Sequence, residues 1–425
     1  MKKSPLLDVV ANQYARWVYP QPILDIPTWL ENNWEWFDPR HAHRMFWPDQ
    51  DYQSGLDILI AGCGTNQAAI FAYCNPSAKV VAIDVSGPSL DHHRYLKNKY
   101  QMDNLELHLL PIEQVSELGR DFDLIVSTGV LHHLADPQVG INALSNCLRP
   151  KGVMAIMLYA EFGRIGVEMM QSVFRDLGLG QNDASVLMVR DALQSLPDDH
   201  PIKSYIAFAP DLQYDAGLVD TFLNGRERSY SIPECLELVQ TAGLVFQDLF
   251  LKSPYYPPSL STSPFHASIA CLPAEKQWAI MEKVHFRNAC HFFTACRPER
   301  GGETYKIDFT QPDAIHYVPS FRQRCGYADF EIFRPNWSME IDTTQRALLA
   351  ELDGYKSIKE IVALVYRSDL MNGVSCEGLE SFAVAFFERL WKLDFVAIGL
   401  RPAAEPRSTA RRPTATRINK DKAGV

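Results

Sequence analysis

Between residues 56 and 160, short apolar runs alternate with segments in which apolar residues recur at helical spacing. The runs predict five strands that are buried on both faces, at residues 56–61, 79–85, 104–110, 122–128 and 152–160. The segments between them, such as NQAAIFAYC and PQVGINALSNCL, predict helices. This alternation is typical of an α/β protein with a parallel sheet that carries helices on both of its faces.

The pattern changes after residue 160. Residues 161–230 are interpreted as a helical insertion whose loops are rich in proline and aspartate. A helix then begins with a capping box at Ser231 and Glu234 and ends at Gly243. The apolar run at 244–251 predicts a further strand that extends the same sheet.

A smaller unit begins near residue 300. Short strands are predicted at 303–309 and 329–333, and two capped helices that begin at DTTQ and SIKE follow them. A third helix, EGLESFAVAFFERLWKL, leads into the strand FVAIGL. Three helices and a closing strand predict a winged-helix-like α+β unit. Such units bind nucleic acid in some proteins and serve only as contact or packing modules in others.

These patterns divide the chain into five segments. An aromatic-rich cap or lid precedes the sheet domain with its insertion, and a connecting helical segment, the winged-helix-like unit and a basic tail follow. Their predicted boundaries are residues 1–50, 51–265, 266–300, 301–400 and 401–425. The tail has seven basic residues, two acidic residues and almost no large apolar side chain, so we expect it to be disordered.

Charge and cysteine usage narrow the range of partners. The formal net charge is −10, and residues 1–400 hold 34 basic and 49 acidic side chains, which disfavours a nucleic acid bound through its phosphates.

The nine cysteines are scattered without a C-x-x-C pair, as is typical of reduced thiols, and no metal site is predicted. The longest apolar run is too short to span a membrane. We therefore expect a cytoplasmic protein.

The first predicted strand ends in a tight turn, Gly62-Cys63-Gly64. A turn with so little side chain lets a ligand lie against bare backbone, and the second strand ends in Asp84, whose carboxylate can accept hydrogen bonds from two ribose hydroxyls. Turn and acid together indicate a cofactor that contains adenosine, although a purely structural turn is the simpler alternative. A nicotinamide dinucleotide is disfavoured, because Gln67 stands where its motif has a third glycine.

Five segments in order resemble the motifs of the class I S-adenosylmethionine-dependent methyltransferases. They are GCGT, AIDVS, LLPIEQV, FDLIVSTGVLHHLADP and LRPKGVMAIMLYA. The resemblance implies a Rossmann-like fold, S-adenosyl-L-methionine as the cofactor and methyl transfer as the activity. YARWVYP, near the start of the chain, also resembles the segment that precedes this fold in uncharacterised bacterial members.

The resemblance also implies which residues contact the cofactor. Three departures from the family pattern concern Ile60, where the family usually has an acid, Asn66, where it often has glycine, and Pro111, where the acid facing the adenine amine would stand. Asn66 can still adopt a left-handed backbone or donate a hydrogen bond. The backbone of Ile112 or the carboxylate of Glu113 would substitute for that acid. The implied contacts are Gly62, Cys63, Gly64, Asn66, Asp84, Val85, Ile112, Glu113, Thr128 and Gly129.

Candidate residues for the acceptor side follow the fourth and fifth strands and lie near the start of the chain. His132 and His133 could take a proton from the acceptor, or they could cap or pack the next helix. Tyr159 ends the fifth strand and would face the acceptor or pack. A lid formed by Tyr14, Arg16 and Trp17 would place Arg16 on the methionine carboxylate, unless this aromatic segment only covers an apolar edge.

The sequence therefore predicts a methyltransferase that acts on a small molecule, because the fourth-strand motif with its two histidines favours such an acceptor. A protein side chain remains an alternative, since the small second unit leaves room for a protein partner. A binding protein that has lost catalysis and a nicotinamide oxidoreductase are the rival classes. No pattern selects oxygen, nitrogen or carbon as the acceptor atom, and the oligomeric state is left open.

Overall fold

A computed structural model describes residues 8–258, 260–367 and 375–400. Its largest element is a seven-stranded sheet in the order β3-β2-β1-β4-β5-β7-β6. The strands are β1 Asp57–Ala61, β2 Lys79–Asp84, β3 Leu105–Leu109, β4 Phe122–Thr128, β5 Leu148–Tyr159, β6 Val245–Leu249 and β7 Cys290–Cys296. The first five strands are parallel and correspond to the five predicted strands, so the Rossmann-like expectation is confirmed.

Helices lie in most connections between these strands, and further helices lie before and after the sheet. The first ten are α1 Val9–Arg16, α2 Ile26–Asn32, α3 Pro39–Phe46, α4 Gln67–Cys74, α5 Gly87–Tyr100, α6 Pro137–Asn146, α7 Ile165–Asp176, α8 Asp183–Ser195, α9 Pro201–Ile206 and α10 Asp215–Phe222. The others are α11 Ile232–Thr241, α12 Pro264–Ala270, α13 Ala274–Val284, α14 Thr343–Ala350, α15 Ile358–Tyr366 and α16 Cys376–Lys392. The capping box at the start of α11 is present as predicted, because Glu234 accepts from the Ser231 backbone N–H at 2.8 Å.

The strand order places a crevice above β1 and β4. The chain leaves β1 towards β2 and β3 on one side and returns on the other side through β4 and β5. Loops after the carboxyl ends of these strands therefore diverge at β1 and β4, which is where ligands bind in open parallel sheets. The glycine turn follows β1, so the topology places it beside this crevice.

One strand of the sheet is absent from the sequence prediction. Residues 266–300 were expected to form a helical connection, and α12 and α13 do lie there, but the segment ends in β7. This strand runs antiparallel to both β5 and β6 and inserts between them. The predicted strand at 244–251 is confirmed as β6, but it joins the sheet only through β7.

The helical insertion after β5 is confirmed. Helices α7 to α10 pack around an apolar core of their own, against which Trp17 also packs. Its buried members are Val167, Met170, Phe174, Val186, Val189, Leu193, Ile202, Ala209, Leu212, Leu218, Val219, Phe222 and Leu223. The insertion is therefore a packed subdomain rather than a set of loops.

The chain divides into two compact units. The first comprises residues 1–31, 54–249 and 261–300, and the second comprises 32–53, 250–260 and 301–425. The predicted cap over 1–50 is thus shared between the units. Part of the reason lies in Arg44, whose guanidinium donates to the Val318 carbonyl at 3.2 Å inside the second unit.

The second unit has its own core, built on α14, α15 and α16. A two-stranded sheet pairs β8 Val318–Phe321 with β12 Val396–Gly399, the predicted closing strand. A three-stranded sheet contains β9 Gly326–Ala328, β10 Glu331–Arg334 and β11 Trp337–Glu340. The three helices are confirmed, whereas 303–309 is not a strand. The predicted disordered tail, 401–425, lies outside the described residues.

Within the described ranges, every helix is too short or too polar to cross a lipid bilayer.

The contribution of β7 to stability can be tested at Phe293. This side chain is fully buried and stacks on Phe246 with 5.0 Å between ring centroids. We expect Phe293→Ala to lower the free energy of unfolding by about 3–5 kcal/mol, because the substitution leaves a cavity in the sheet core. Chemical denaturation measures this loss. Phe286→Ala, at a half-exposed ring, is the matched control and should change stability by less than about 0.5 kcal/mol. Equal effects of the two substitutions would contradict the placement of β7.

Candidate active site

The turn after β1 has the backbone geometry that only glycine adopts easily. Gly62 has φ +79° and Gly64 has φ +52°. A Cβ atom at Gly62 would lie 2.5 Å from the Val130 side chain, and one at Gly64 would lie 2.9 Å from Pro20 Cδ. Both positions therefore require glycine for conformation and for space. The turn is anchored to β2, because the Gly62 N–H donates to the Ile83 carbonyl at 2.9 Å.

The Asp84 carboxylate lies directly beside this turn. It accepts from the Gly64 N–H at 2.9 Å and from the Ser86 N–H at 2.8 Å. Burial raises the pKa of Asp84 to about 6, although the backbone N–H groups act in the opposite direction. Each carboxylate oxygen keeps a further lone pair, so two adjacent hydroxyls of a ribose could donate to it. The predicted ribose contact thus fits the geometry.

The loop after β3 offers a second feature that fits an adenosine. Glu113 Oε2 is buried and has no hydrogen-bond partner among the described residues. A buried carboxylate oxygen without a donor is costly, and an adenine amino group is a donor of suitable size. Ile112 beside it is buried, as an apolar wall for a base requires. The hydrogen-bond acceptors at the ends of β2 and β3, Asp84 and Glu113, are therefore compatible with S-adenosylmethionine.

Four other predicted contacts lie around the same crevice. Gly129 follows β4 with φ +73° and donates its N–H to the Met157 carbonyl at 3.2 Å. Thr128 Oγ1 accepts from Gln67 at 3.2 Å, and Val85 is half-buried. The Cys63 thiol is buried, and burial raises its pKa well above the ordinary value, so it stays uncharged.

Asn66 has a different partner from the one predicted. Its amide donates to the Gln21 carbonyl at 2.9 Å and accepts from the Ile23 N–H at 3.0 Å, and its φ of −127° is not left-handed. The neighbouring Thr65 hydroxyl donates to the Pro20 carbonyl at 2.7 Å. These bonds hold residues 19–23 against the glycine turn, so Asn66 binds the protein's own chain where a cofactor contact was expected.

The three predicted lid residues separate in the structure. Tyr14 lies at the crevice, since its carbonyl accepts from Ser86 at 3.1 Å and its hydroxyl donates to Asp220 Oδ1 at 2.7 Å. Arg16 is exposed and lies 3.4 Å from Asp183 at the start of α8. The predicted contact of Arg16 with the methionine carboxylate is therefore replaced by an ion pair with the insertion. Trp17 packs against the core of the insertion.

His132 is fully buried after β4, and its hydrogen bond identifies its tautomer. The Tyr159 N–H donates to His132 Nδ1 at 3.3 Å, so Nε2 carries the proton of the neutral ring. Burial and nearby cations lower the pKa of His132 well below its usual value. The ring accepts at Nδ1, its buried Nε2 has no hydrogen-bond partner among the described residues, and the lowered pKa disfavours a protonated ring.

His133 has the opposite tautomer. Its Nδ1 donates to the Arg226 carbonyl at 3.0 Å, which leaves Nε2 of the neutral ring as an acceptor. No hydrogen-bond partner of Nε2 occurs in the part of the chain that the structure describes. The ring also contacts Tyr14 edge to face, with 6.3 Å between centroids. His133 is therefore better placed than His132 to accept a proton.

Tyr159 joins the histidines to a set of residues that the sequence analysis missed. Its ring stacks on His132 at 3.8 Å, and its hydroxyl lies 3.4 Å from Asp220 Oδ2. The Arg164 guanidinium lies 3.7 Å from the centroid of the same ring and pairs with Glu227 at 2.6 Å. Tyr159 therefore packs between His132 and Arg164 beside Asp220, and its contact with an acceptor stays a prediction.

Asp220 is the most informative of the missed residues. It is buried within α10, whose sequence DAGLVDTF is otherwise mostly apolar at its centre. An acidic residue in such a segment is a signal for a buried role, because an unpaired charge is rarely placed in a core. Two other polar residues of the insertion, Asp211 and Arg226, bind Tyr19 and Asp8.

Comparison with known proteins identifies the type of domain. Residues 59–154 match a family described as a methyltransferase domain. An uncharacterised protein of Synechococcus is 27% identical over 335 residues, which cover 75% of this chain and 78% of that protein. A malonyl-[acyl-carrier protein] O-methyltransferase of Acetivibrio thermocellus is 30% identical over 118 residues. This alignment covers 28% of the chain and 39% of that enzyme.

A solved structure shares the fold over most of the chain. It is PKMT2 from Rickettsia typhi in complex with AdoHcy, with a TM-score of 0.63 and 14% sequence identity. The alignment covers 90% of this chain and 77% of that chain. At this identity the likeness concerns the fold alone.

Asp84 provides a test by pH. Because its pKa is raised from 3.8 to about 6, the carboxyl group gains a proton as the pH falls through that value and can then no longer accept charge-assisted hydrogen bonds from both ribose hydroxyls. We expect the Kd of S-adenosylhomocysteine, measured by calorimetry, to rise about tenfold for each pH unit below about 6. The variant Asp84→Asn cannot ionise and should bind weakly with little pH dependence. A flat profile for the unmodified chain would remove Asp84 from the ribose site.

Proposed function

The chain carries a methyltransferase domain of the class I S-adenosylmethionine-dependent family, and we propose that it methylates a small molecule. The observation that carries this proposal is the hydrogen bond that the Tyr14 hydroxyl of α1 donates to Asp220 of α10. It brings two distant helices together beside the carboxyl ends of β4 and β5. Both Asp220 and the histidines after β4 are buried, and a site enclosed in this way favours a compact acceptor.

Different residues of the chain serve the cofactor and the methyl acceptor. S-adenosylmethionine, when bound, supplies an activated methyl group for in-line displacement. Asp84 and Glu113 hold its adenosine part at the ends of β2 and β3. The segment 19–23 and α1 exclude water from the crevice, and orientation is the main contribution an enzyme makes to such a reaction. His133 accepts a proton where the acceptor carries one.

A protein side chain is the second candidate acceptor. The observation that favours it is a surface pocket of about 510 Å³ beside the insertion, lined by four glutamates and two arginines. The glutamates are Glu161, Glu168, Glu227 and Glu234. A basic segment of a protein partner would be attracted to such a pocket. The methyltransferase match, by contrast, decides against the nicotinamide oxidoreductase.

Fractionated lysate distinguishes these acceptors. We expect S-adenosylmethionine and the low-mass fraction from ultrafiltration to give S-adenosylhomocysteine and a compound heavier by one methylene, detected by mass spectrometry. The protein fraction should give neither. Methylation confined to the protein fraction would overturn the small-molecule proposal. S-adenosylhomocysteine binding without turnover in either fraction would indicate a binding protein, and Asp84→Ala is the control for background release.

The two histidines give a matched pair of variants. With the active fraction as acceptor, we expect His133→Ala to lower the initial rate about 100-fold or more, because the free acceptor nitrogen is lost. His132→Ala should slow the reaction less and should lower the melting temperature, since it removes a buried ring that stacks on Tyr159. Both variants should bind S-adenosylhomocysteine as the unmodified chain does. The reverse order of rates would return the proton-accepting role to His132.

A further inference from the structure

Asp220 is a buried carboxylate with two tyrosine hydroxyls around it. Only 2% of the residue is exposed. Tyr14 donates to Oδ1 at 2.7 Å, and the Tyr159 hydroxyl lies 3.4 Å from Oδ2. Burial raises the pKa of this carboxyl group, and His133 and Arg164 act in the opposite direction from a greater distance.

The arginine of this cluster is committed to another acid. Arg164 lies 2.6 Å from Glu227 and donates its second terminal nitrogen to the Tyr205 hydroxyl at 3.1 Å. Across the described ranges, no lysine or arginine nitrogen lies within 4.0 Å of the Asp220 carboxylate. Asp211 adds another acid to the neighbourhood, and it accepts from Tyr19 at 2.9 Å. The cluster therefore has more carboxylates than cations, although buried charges in proteins are normally paired.

The position of Asp220 assigns it to the acceptor side of the crevice. Its partner Tyr159 ends β5, which is two strands away from the glycine turn after β1. Neighbouring strands lie about 4.8 Å apart, so the two strand ends are separated by roughly 10 Å. The ribose contact at Asp84 lies one strand farther in the opposite direction. A group bound between Tyr159 and Tyr14 is therefore on the far side of the methyl-donating centre from the ribose.

We propose that Asp220, Tyr14 and Tyr159 form a subsite for a protonated amine, and that the acceptor is methylated on this nitrogen. The inference rests on the proposed methyltransferase function and specifies the chemical class of its substrate. An ammonium group supplies the missing counter-charge and donates to the free lone pairs of the carboxylate. A neutral hydroxyl acceptor would leave the buried carboxylate without a counter-charge.

The reaction balances with the groups present. The ammonium, held by Asp220, gives one proton to His133 Nε2 and becomes a neutral amine with a free lone pair. This lone pair attacks the methyl carbon, the N–C bond forms, and the C–S bond breaks with its electron pair remaining on sulfur. The products are the N-methylated ammonium and S-adenosylhomocysteine, and the proton on His133 later leaves to solvent. Tyr14 and Tyr159 keep their protons and orient the carboxylate throughout.

Sinefungin is a probe for this subsite that does not require knowledge of the acceptor. In this analogue a carbon bearing an ammonium group replaces the methylated sulfur of S-adenosylmethionine. By calorimetry at neutral pH we expect sinefungin to bind at least about tenfold more tightly than S-adenosylhomocysteine, as a charged hydrogen bond would provide. Asp220→Asn should remove this preference while retaining S-adenosylhomocysteine binding. Asp215→Asn is the matched control, because Asp215 is an exposed residue of the same helix, paired with Arg190, and should retain it.

A second readout compares acceptors directly. Butylamine and benzylamine are offered with S-adenosylmethionine beside butanol and benzyl alcohol, and S-adenosylhomocysteine release is measured. Release with an amine that falls at least tenfold in Asp220→Asn supports the inference, and release with the alcohols alone overturns it. If none of the four is methylated, the sinefungin preference decides. Equal affinities for the two cofactor analogues overturn the amine subsite only, whereas failure of the unmodified chain to bind either of them overturns the proposed function.

Discussion

The hydrogen bond from the Gly64 N–H to the Asp84 carboxylate, at 2.9 Å, is the contact on which the rest of the site depends. It ties the turn after β1 to the end of β2 and so fixes the edge of the crevice at the point where the strand order reverses. The two positive φ angles at Gly62 and Gly64 make this turn possible. Because the same carboxylate retains lone pairs, one side chain both builds the turn and remains available to a ribose.

The remaining parts of the site come from segments that are far apart along the chain. Residues 19–23 are held on the glycine turn by Thr65 and Asn66, and α1 reaches across to the helical insertion through Tyr14. Arg164 and Glu227 form an ion pair in which both side chains are almost fully buried. Removal of one partner from such a pair is strongly destabilising. The insertion therefore combines a rigid polar framework with the acceptor side of the crevice.

The sequence predicted the elements whose signal is local. The five parallel strands, the capping box of α11 and the helices of the second unit follow from periodicity and capping residues within a few positions of one another. It did not predict β7, because HFFTAC is too short to distinguish a buried strand from a helix segment. Its place between β5 and β6 arises only from its pairing with these two strands, and β5 lies more than a hundred residues earlier in the chain.

By itself, then, the sequence determined the sheet, the bare turn and the acid that follows β2, which together indicated the cofactor. The tertiary structure alone brought Tyr14, Tyr159 and Asp220 together. Tyr14 and Asp220 are 206 positions apart, and their hydrogen bond depends on how α1 and α10 pack beside β5. It also decided which ring nitrogen of each histidine carries a hydrogen bond, since the backbone partners of His132 and His133 lie on other elements. Short-range patterns specify local conformation, whereas the charge balance of a buried site depends on side chains that only folding brings together.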